Sequence, residues 1–262
     1  MKLLCAFLFV LSTSLLPGQY GETIVSGRPG QSIGAATVGR GVYQVQTGIN
    51  LDWSQSGSGH LFDLTEVTDL RVGITERLEL SALIAGASDE LEQIGGSRRD
   101  RGISDTQVGG RYLLFPNRGI RPALALRGHV LLTAQDEDFR RENTGGNLIL
   151  AAEWTLTDLL GLAVNLSRTW TGNDEQTTDY VTTLGFSLSD RWSSFLEVYG
   201  TLSGEATSNY DGGFAYLATD DLAFDLSVGW DGDYGVKSYF LDAGISFRFV
   251  KRRPGRALPS GE

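Results

Sequence analysis

Cysteine is almost missing from this chain of 262 residues: the single copy, Cys5, sits inside an uncharged run at the N-terminus. Everything downstream is cysteine-free, which excludes a thiol nucleophile, a disulfide framework and a cysteine-ligated metal centre together. Histidine is nearly as scarce, with only His60 and His129 available. Past the N-terminus no segment strings together the roughly 20 apolar residues that a helix needs to cross a bilayer. Basic side chains are the minority, 22 Lys and Arg against 32 Asp and Glu, for a net charge of −10. A chain of that sign is repelled by phosphate backbones, so nucleic acid is not an expected partner. With one methionine and 6 prolines set against 34 glycines, what remains suits many short strands joined by turns.

The N-terminus reads as an address. Lys2 precedes Leu3 to Leu16, a run without charge, followed by Pro17 and Gly18. The run is too short to span a membrane and has the layout of a secretory signal peptide, assigned to residues 1–21. Residues 22–40, rich in Gly, Ser and Thr, have no sustained periodicity and read as an extended lead-in or a small plug.

From Gly41 onward the sequence alternates with the two-residue period of a strand. The last run is the clearest. One face carries Tyr239, Leu241, Ala243, Ile245, Phe247 and Phe249; the other carries Phe240, Asp242, Gly244, Ser246 and Arg248. Alone, such a strand fits a soluble sandwich as well as a membrane barrel. Eleven more runs repeat the pattern, near 41–54, 60–74, 78–85, 103–114, 120–133, 147–156, 160–170, 179–188, 192–201, 210–218 and 222–230. Glu66 falls on the apolar parity of the second run, and a bulge or strand end above the bilayer is expected there.

Short connections alternate with long ones. Four of five short ones carry a Ser or Thr followed by an acid: Thr75-Glu76, Thr157-Asp158, Ser189-Asp190 and Thr219-Asp220. Side chains of that kind hydrogen-bond their own backbone at a reversal. The stretch 86–102, with Arg98, Arg99, Asp100 and Arg101, reads as a long polar loop. Tight turns at one end, longer loops at the other and both termini on the tight-turn side is the layout of outer-membrane barrels.

The aromatics separate the two fold readings. All five tryptophans, Trp53, Trp154, Trp170, Trp192 and Trp230, have apolar parity and lie near strand ends, whereas a soluble sandwich keeps its bulky rings in mid-strand. With Phe62, Tyr180 and Tyr239 at the long-loop end and Tyr43, Tyr112, Tyr216, Phe247 and Phe249 at the other, they form two girdles. The expected fold is all-β: a 12-stranded antiparallel up-and-down transmembrane β-barrel over 41–249, in the outer membrane of a Gram-negative bacterium. Residues 250–262, with Lys251, Arg252, Arg253 and Arg256, form a basic periplasmic tail. Membrane lipid, lipopolysaccharide and the barrel-assembly machinery are the implied partners.

The inward parity holds Asp52, Asp63, Asp69, Glu79, Asp105, Glu153, Glu197 and Asp225 with Arg71, Arg111, Arg127 and Arg248. These residues either form an internal ion-pair network or line a narrow pore for a small-molecule solute. No catalytic residue, cofactor or metal is assigned. His129 has inward parity but no nucleophile motif accompanies it, and His60 lies near a loop; a hydrolase would need one of them beside a serine and a carboxylate. Asp136-Glu137-Asp138 and Asp231-Gly232-Asp233 do not match a calcium loop and read as solvated charge.

The ordered set Arg28-Pro29, Gly41 to Gly48, Thr75 to Leu80, Asp105 to Tyr112, Asn165, Phe195 to Gly200, Gly213 to Tyr216, Leu222 to Gly229 and Gly244 to Phe249 resembles the outer-membrane transporter family labelled for the meta-cleavage pathway of phenol degradation. The resemblance implies a barrel of about a dozen strands that passes small, often aromatic or apolar, compounds. Three places depart from the family pattern: Gln46 stands for a common Glu, Leu132-Thr133-Ala134 for Pro-Thr-Gly, and the surroundings of Gly27 and Gly30 lack acidic residues. The expectation is a passive channel or facilitator, with a plugged structural or surface-interaction barrel as the alternative.

Overall fold

In a computed structural model the described residues are 23–56, 59–93, 96–231 and 237–250. The signal peptide, the basic tail and most of Asp231-Gly232-Asp233 lie outside them. Twelve antiparallel strands run β1 Val42–Ser56, β2 Gly59–Gly73, β3 Leu78–Gln93, β4 Gly96–Phe115, β5 Ala123–Leu131, β6 Gly145–Thr155, β7 Leu160–Trp170, β8 Gln176–Ser187, β9 Trp192–Thr201, β10 Asn209–Thr219, β11 Leu222–Asp231 and β12 Lys237–Val250. Each pairs with its sequence neighbours, and β1 closes on β12 from Val42↔Val250 to Gln55↔Lys237. Closure removes every free edge, so the strand backbone meets its hydrogen-bonding needs within the sheet, as a membrane barrel must.

The chemistry of the short turns is the one their residues dictate. Thr75 Oγ accepts from the amides of Arg77 and Leu78, Thr157 Oγ from Leu159, Ser189 Oγ from Arg191 and Trp192, and Thr219 Oγ from Asp221. These bonds fix the hairpins, and the register of each hairpin fixes which side chains face out.

The outward set is apolar and uncovered. Ile49, Leu80, Ile84, Leu196, Phe214, Leu226 and Val228 are each 48–61% exposed, and the exposed tryptophans Trp53, Trp170, Trp192 and Trp230 share their side of the sheet. The inward set is polar and shielded, with Gln44, Arg71, Glu79 and Ser246 among the least exposed side chains of the molecule. This is a soluble protein's distribution turned inside out.

Two expectations are corrected. The stretch 86–102 is not a loop: β3 and β4 continue as a paired ladder from Gly86↔Ile103 to Gln93↔Gly96. Apolar alternation stops there because both faces are polar, with Ser88 and Glu90 outward opposite Arg101 and Arg99, so the sequence lost its strand signal while the backbone pairing persisted. Nor does Glu66 mark a bulge. β1 and β2 pair without interruption from Tyr43↔Val72 to Ser56↔Gly59, and Glu66 faces out between Ile49 and Gly86. The nearby bulge lies one strand further on, where Ser104 is the extra residue between Ala85↔Asp105 and Gly86↔Ile103.

Candidate functional site: a hooped lumen

Residues 23–41 lie inside the barrel and run around its inner wall at the short-turn end. Arg248 donates to the Thr23 carbonyl at 2.9 Å, and Ile24 N to the Asp220 carbonyl at 2.7 Å. Ser26 Oγ meets Ser246 Oγ at 2.8 Å and takes a hydrogen bond from Gln46 at 2.6 Å. Arg28 then pairs with Asp225 at 3.3 Å and with Asp242. Gln31 N and Ser32 N donate to Glu197 at 2.6 and 3.2 Å on β9; Ile33 exchanges two bonds with the Asn165 amide on β7; Ala35 N donates to Glu153 at 3.0 Å on β6. On the return, Arg111 of β4 holds the Ala36 carbonyl at 2.8 Å, and Val38 N donates to Glu79 of β3 at 2.9 Å. The segment thus visits β12, β11, β9, β7, β6, β4 and β3 before it becomes β1. It is a hoop.

An irregular segment inside a barrel has amides that find no strand partner, and buried amides must be satisfied. Glu79, Glu153, Glu197 and Asn165 supply those acceptors. Space for the hoop comes from missing side chains. Gly48 and Gly244 pair across β1 and β12, and any Cβ on either would collide with the Arg28 guanidinium, which lies over them. A Cβ on Gly73 would strike the Gly39 carbonyl.

The inward wall around the return limb is densely charged. Arg71 and Glu79, 1% and 2% exposed, form a two-bond pair at 3.0 and 2.9 Å. Arg111 Nε lies 3.6 Å from the same carboxylate, and Arg71 also holds the Val25 carbonyl at 3.3 Å and Gln46 at 3.1 Å. The Gln46 amide donates to Ser26 while its oxygen accepts from Arg71, a double role that an ionised carboxylate cannot fill. One step along the wall, His129 reaches over Gly109 to Ser81 Oγ at 2.7 Å, and its Nδ1 is 3.0 Å from Gln107 Oε1. Gln107 in turn donates to Asp105 at 2.6 Å. Arg127 lies along the imidazole, its Nε 3.2 Å from Nε2.

That last arrangement bears on the hydrolase expectation. His129 has its serine but no carboxylate; an amide oxygen occupies that place, and the Arg127 N–H competes with the Ser81 hydroxyl for the Nε2 lone pair. His60 is on the outer wall, in a groove of about 450 Å³ with Trp53, Phe62, Glu90 and Tyr239. Among the described residues no cluster of His, Asp and Glu is arranged to hold a metal ion.

At the opposite end, the connection 132–144 folds inward. Asp136 accepts from Ile103 N at 2.7 Å over the bare Gly102, and Arg141 pairs with Asp105 at 2.7 Å. Asp52, Asp63, Asp89 and Asp100 are successive cross-strand partners along β1 to β4, and Asp52 takes a bond from Ser238 at 3.0 Å.

The twelve charged side chains expected on the inward face, Asp52, Asp63, Asp69, Arg71, Glu79, Asp105, Arg111, Arg127, Glu153, Glu197, Asp225 and Arg248, have inward register. They do not form one ion-pair network. Glu153 and Glu197 serve backbone amides of the hoop, Asp225 serves Arg28, and Arg248 pairs with Asp221 at 2.6 Å. Sequence reasoning missed those assignments, although a readable signal existed: single acids on the inward face of β6 and β9, downstream of a lead-in rich in Gly, Ser and Thr. It also left out the apolar residues Leu83, Leu131, Ile149, Val181 and Phe195, which join Phe240 on the inward face, because isolated apolar side chains on a polar face give no periodic signal. Of the girdle residues, Trp53, Trp170, Tyr180, Trp230 and Tyr239 lie toward the long-loop end and Tyr43, Trp154, Trp192, Tyr216, Phe247 and Phe249 toward the other. All eleven face outward, and Trp53 stacks on Phe62 and Trp192 on Tyr216 at centroid separations of 5.5 and 4.8 Å.

Solved structures share this architecture. The COG4313 outer membrane channel from Pseudomonas putida F1 superposes with a TM-score of 0.65 at 12% identity, covering 90% of this chain and 100% of that one. The translocator domain of the autotransporter NalP from Neisseria meningitidis gives 0.51 at 15% identity, with 80% and 89% covered. The KdgM porin in complex with disordered oligogalacturonate gives 0.50 at 12%, with 77% and 99% covered. At these identities the likeness is one of fold. No curated protein matches the sequence at a significant level. The model of the family described as "Putative MetA-pathway of phenol degradation" matches residues 26–249. The match includes the hoop as well as the strands, and the chain, an outer-membrane-type β-barrel, belongs to that family.

Proposed function

We propose that the protein is a passive channel, a facilitator of small solutes with apolar or aromatic character across the outer membrane. One observation carries the reading: the inward face sets fixed charge beside the partly exposed apolar side chains Leu83, Ile149 and Val181, a lining suited to a solute with a greasy body and a polar tip. The likeness to an outer membrane channel over nearly the whole chain supports it. Lipid and lipopolysaccharide surround the outward face, and the barrel-assembly machinery inserts it. Arg71, Glu79, Arg111, Glu153, Glu197, Asp225 and Arg248 act as positioning groups for the hoop, and Asp52, Asp69, Asp105 and Arg127 as lining of the solute path.

The plugged-barrel reading draws on a different observation, the anchoring of residues 23–41 to strands all around the wall. Planar-bilayer recording with the full chain separates the two. The channel reading expects discrete conductance, and uptake of phenols or aromatic acids into proteoliposomes above protein-free vesicles. A silent bilayer together with uptake no faster than in empty vesicles favours the plug.

A further inference from the structure

The charge on the β2–β5 wall does not balance locally. Three guanidiniums, those of Arg71, Arg111 and Arg127, share this wall with two carboxylates, Glu79 and Asp69. Arg71 takes the Glu79 carboxylate in a two-bond pair, and Arg111 has only a 3.6 Å contact with it, its own Nε lacking a hydrogen-bond partner. Arg127 has no carboxylate within ion-pair distance among the described residues: its contacts are with His129, an imidazole already engaged by Ser81 and Gln107. Asp69 is the other acid on this wall. It is the next inward residue to Arg71 on β2 and attracts Arg127 from beyond ion-pair distance, and one of its oxygens is buried without a partner.

The position of Arg127 matters as much as its charge. It is the cross-strand partner of Arg111 on one side and of Ile149 on the other, so the wall's one surplus positive charge stands next to an apolar inward side chain. Its inward register directs it to the lumen, and it remains partly exposed there. His129 and its bonds to Ser81 and Gln107 hold the guanidinium in place from behind. A planar fork of donors presented beside apolar side chains is built for a carboxylate on an apolar body.

We propose that Arg127, with Arg111 beside it, is a carboxylate-selective step in the lumen, and that the preferred solutes are small monoanionic carboxylates carrying an aromatic or aliphatic body. This rests on the channel reading and names its substrate class. Arg127 fixes specificity through direct contact with the solute, and His129 is a positioning residue behind it.

The test compares two probes of similar size and opposite charge, benzoate and benzyltrimethylammonium, by reversal potential in planar bilayers containing the full chain. Wild-type protein is expected to favour benzoate, and Arg127→Gln to reduce the benzoate preference by roughly tenfold, the size of one charge-assisted contact. Permeation of benzyltrimethylammonium should stay level or rise, and Arg127→Lys should keep part of the preference. Absence of current for either probe overturns the channel reading. Current with no preference for benzoate in the wild type, or an unaltered ratio in a folded Arg127→Gln, overturns the carboxylate step alone. Should Arg127→Gln fail to assemble, the wild-type ratio still decides.

Discussion

Neutralising Glu79 perturbs a side chain that ties the return limb of the hoop to β3. Its carboxylate holds Arg71 through two bonds, faces Arg111 and accepts from Val38 N at 2.9 Å, while Arg71 and Arg111 reach the Val25 and Ala36 carbonyls at the two limbs of the segment. Glu79→Gln keeps the shape and leaves two buried guanidiniums without their counter-charge. Removing one partner of a buried pair costs about 3–5 kcal/mol. Within that total, the bond to Val38 N accounts for at most about 1.5–3 kcal/mol, the usual range for a hydrogen bond to a charged group, because the one glutamine oxygen is shared between Arg71 and Val38 N. At about 1.4 kcal/mol per tenfold, release of the return limb should become more frequent by at most about 10- to 100-fold. Ala35 is 0% exposed, and no cysteine follows Cys5, so Ala35→Cys provides a clean reporter. The labelling rate of that cysteine by a water-soluble thiol reagent in proteoliposomes measures how often the limb lifts. Ala35→Cys with Glu79→Gln should label faster by the stated factor. The double change Glu79→Leu with Arg71→Met should restore most of the global stability, since apolar replacements of buried pairs are often neutral. Labelling should stay fast in that variant because leucine offers Val38 N no acceptor. Equal labelling rates with and without Glu79→Gln would refute the reasoning, as would a parent Ala35→Cys that labels at the rate of an unfolded chain.

Leu196 faces lipid midway along β9 and is 61% exposed; Leu196→Arg should lower stability by about 2–4 kcal/mol, measured by urea titration of refolding into liposomes, and a shift under 1 kcal/mol would contradict the outward assignment. Gly109→Ala would drive a Cβ into the Gly128 carbonyl and the His129 backbone, neither of which can yield like a side-chain tip. Overpacking of this kind costs about 1–3 kcal/mol, and the heat-modifiability midpoint on gels should drop; an unchanged midpoint contradicts the close approach of β4 and β5. Thr75→Val removes the acceptor for two amides at the β2–β3 turn, but water replaces it at that exposed site. A loss of only about 0.5–1.5 kcal/mol is expected, and a larger one by the same titration would mean the turn is shielded.

The sequence alone determined the barrel because its two signals are local. A period of two tells each side chain which face it occupies, and a Ser or Thr at a reversal needs only its own backbone to act. Residues such as Trp53, Leu196 and Phe249 could therefore be placed outward, and Glu79, Glu197 and Arg248 inward, with no knowledge of their neighbours. Local signals fail where both faces are wet, which is why 86–102 looked like a loop. They fail again where a charged residue interrupts the apolar face, as Glu66 does on an unbroken ladder. What only the tertiary structure decided is who meets whom across the lumen. Glu153 and Glu197 bind amides from residues 31–35, over a hundred positions away in the chain; Gly48 and Gly244 leave room for Arg28; and Arg127 is left with a histidine instead of an acid. Alternation assigns a side, but barrel closure assigns partners, and the hoop exists only because closure brings β3, β6, β7 and β9 around one segment.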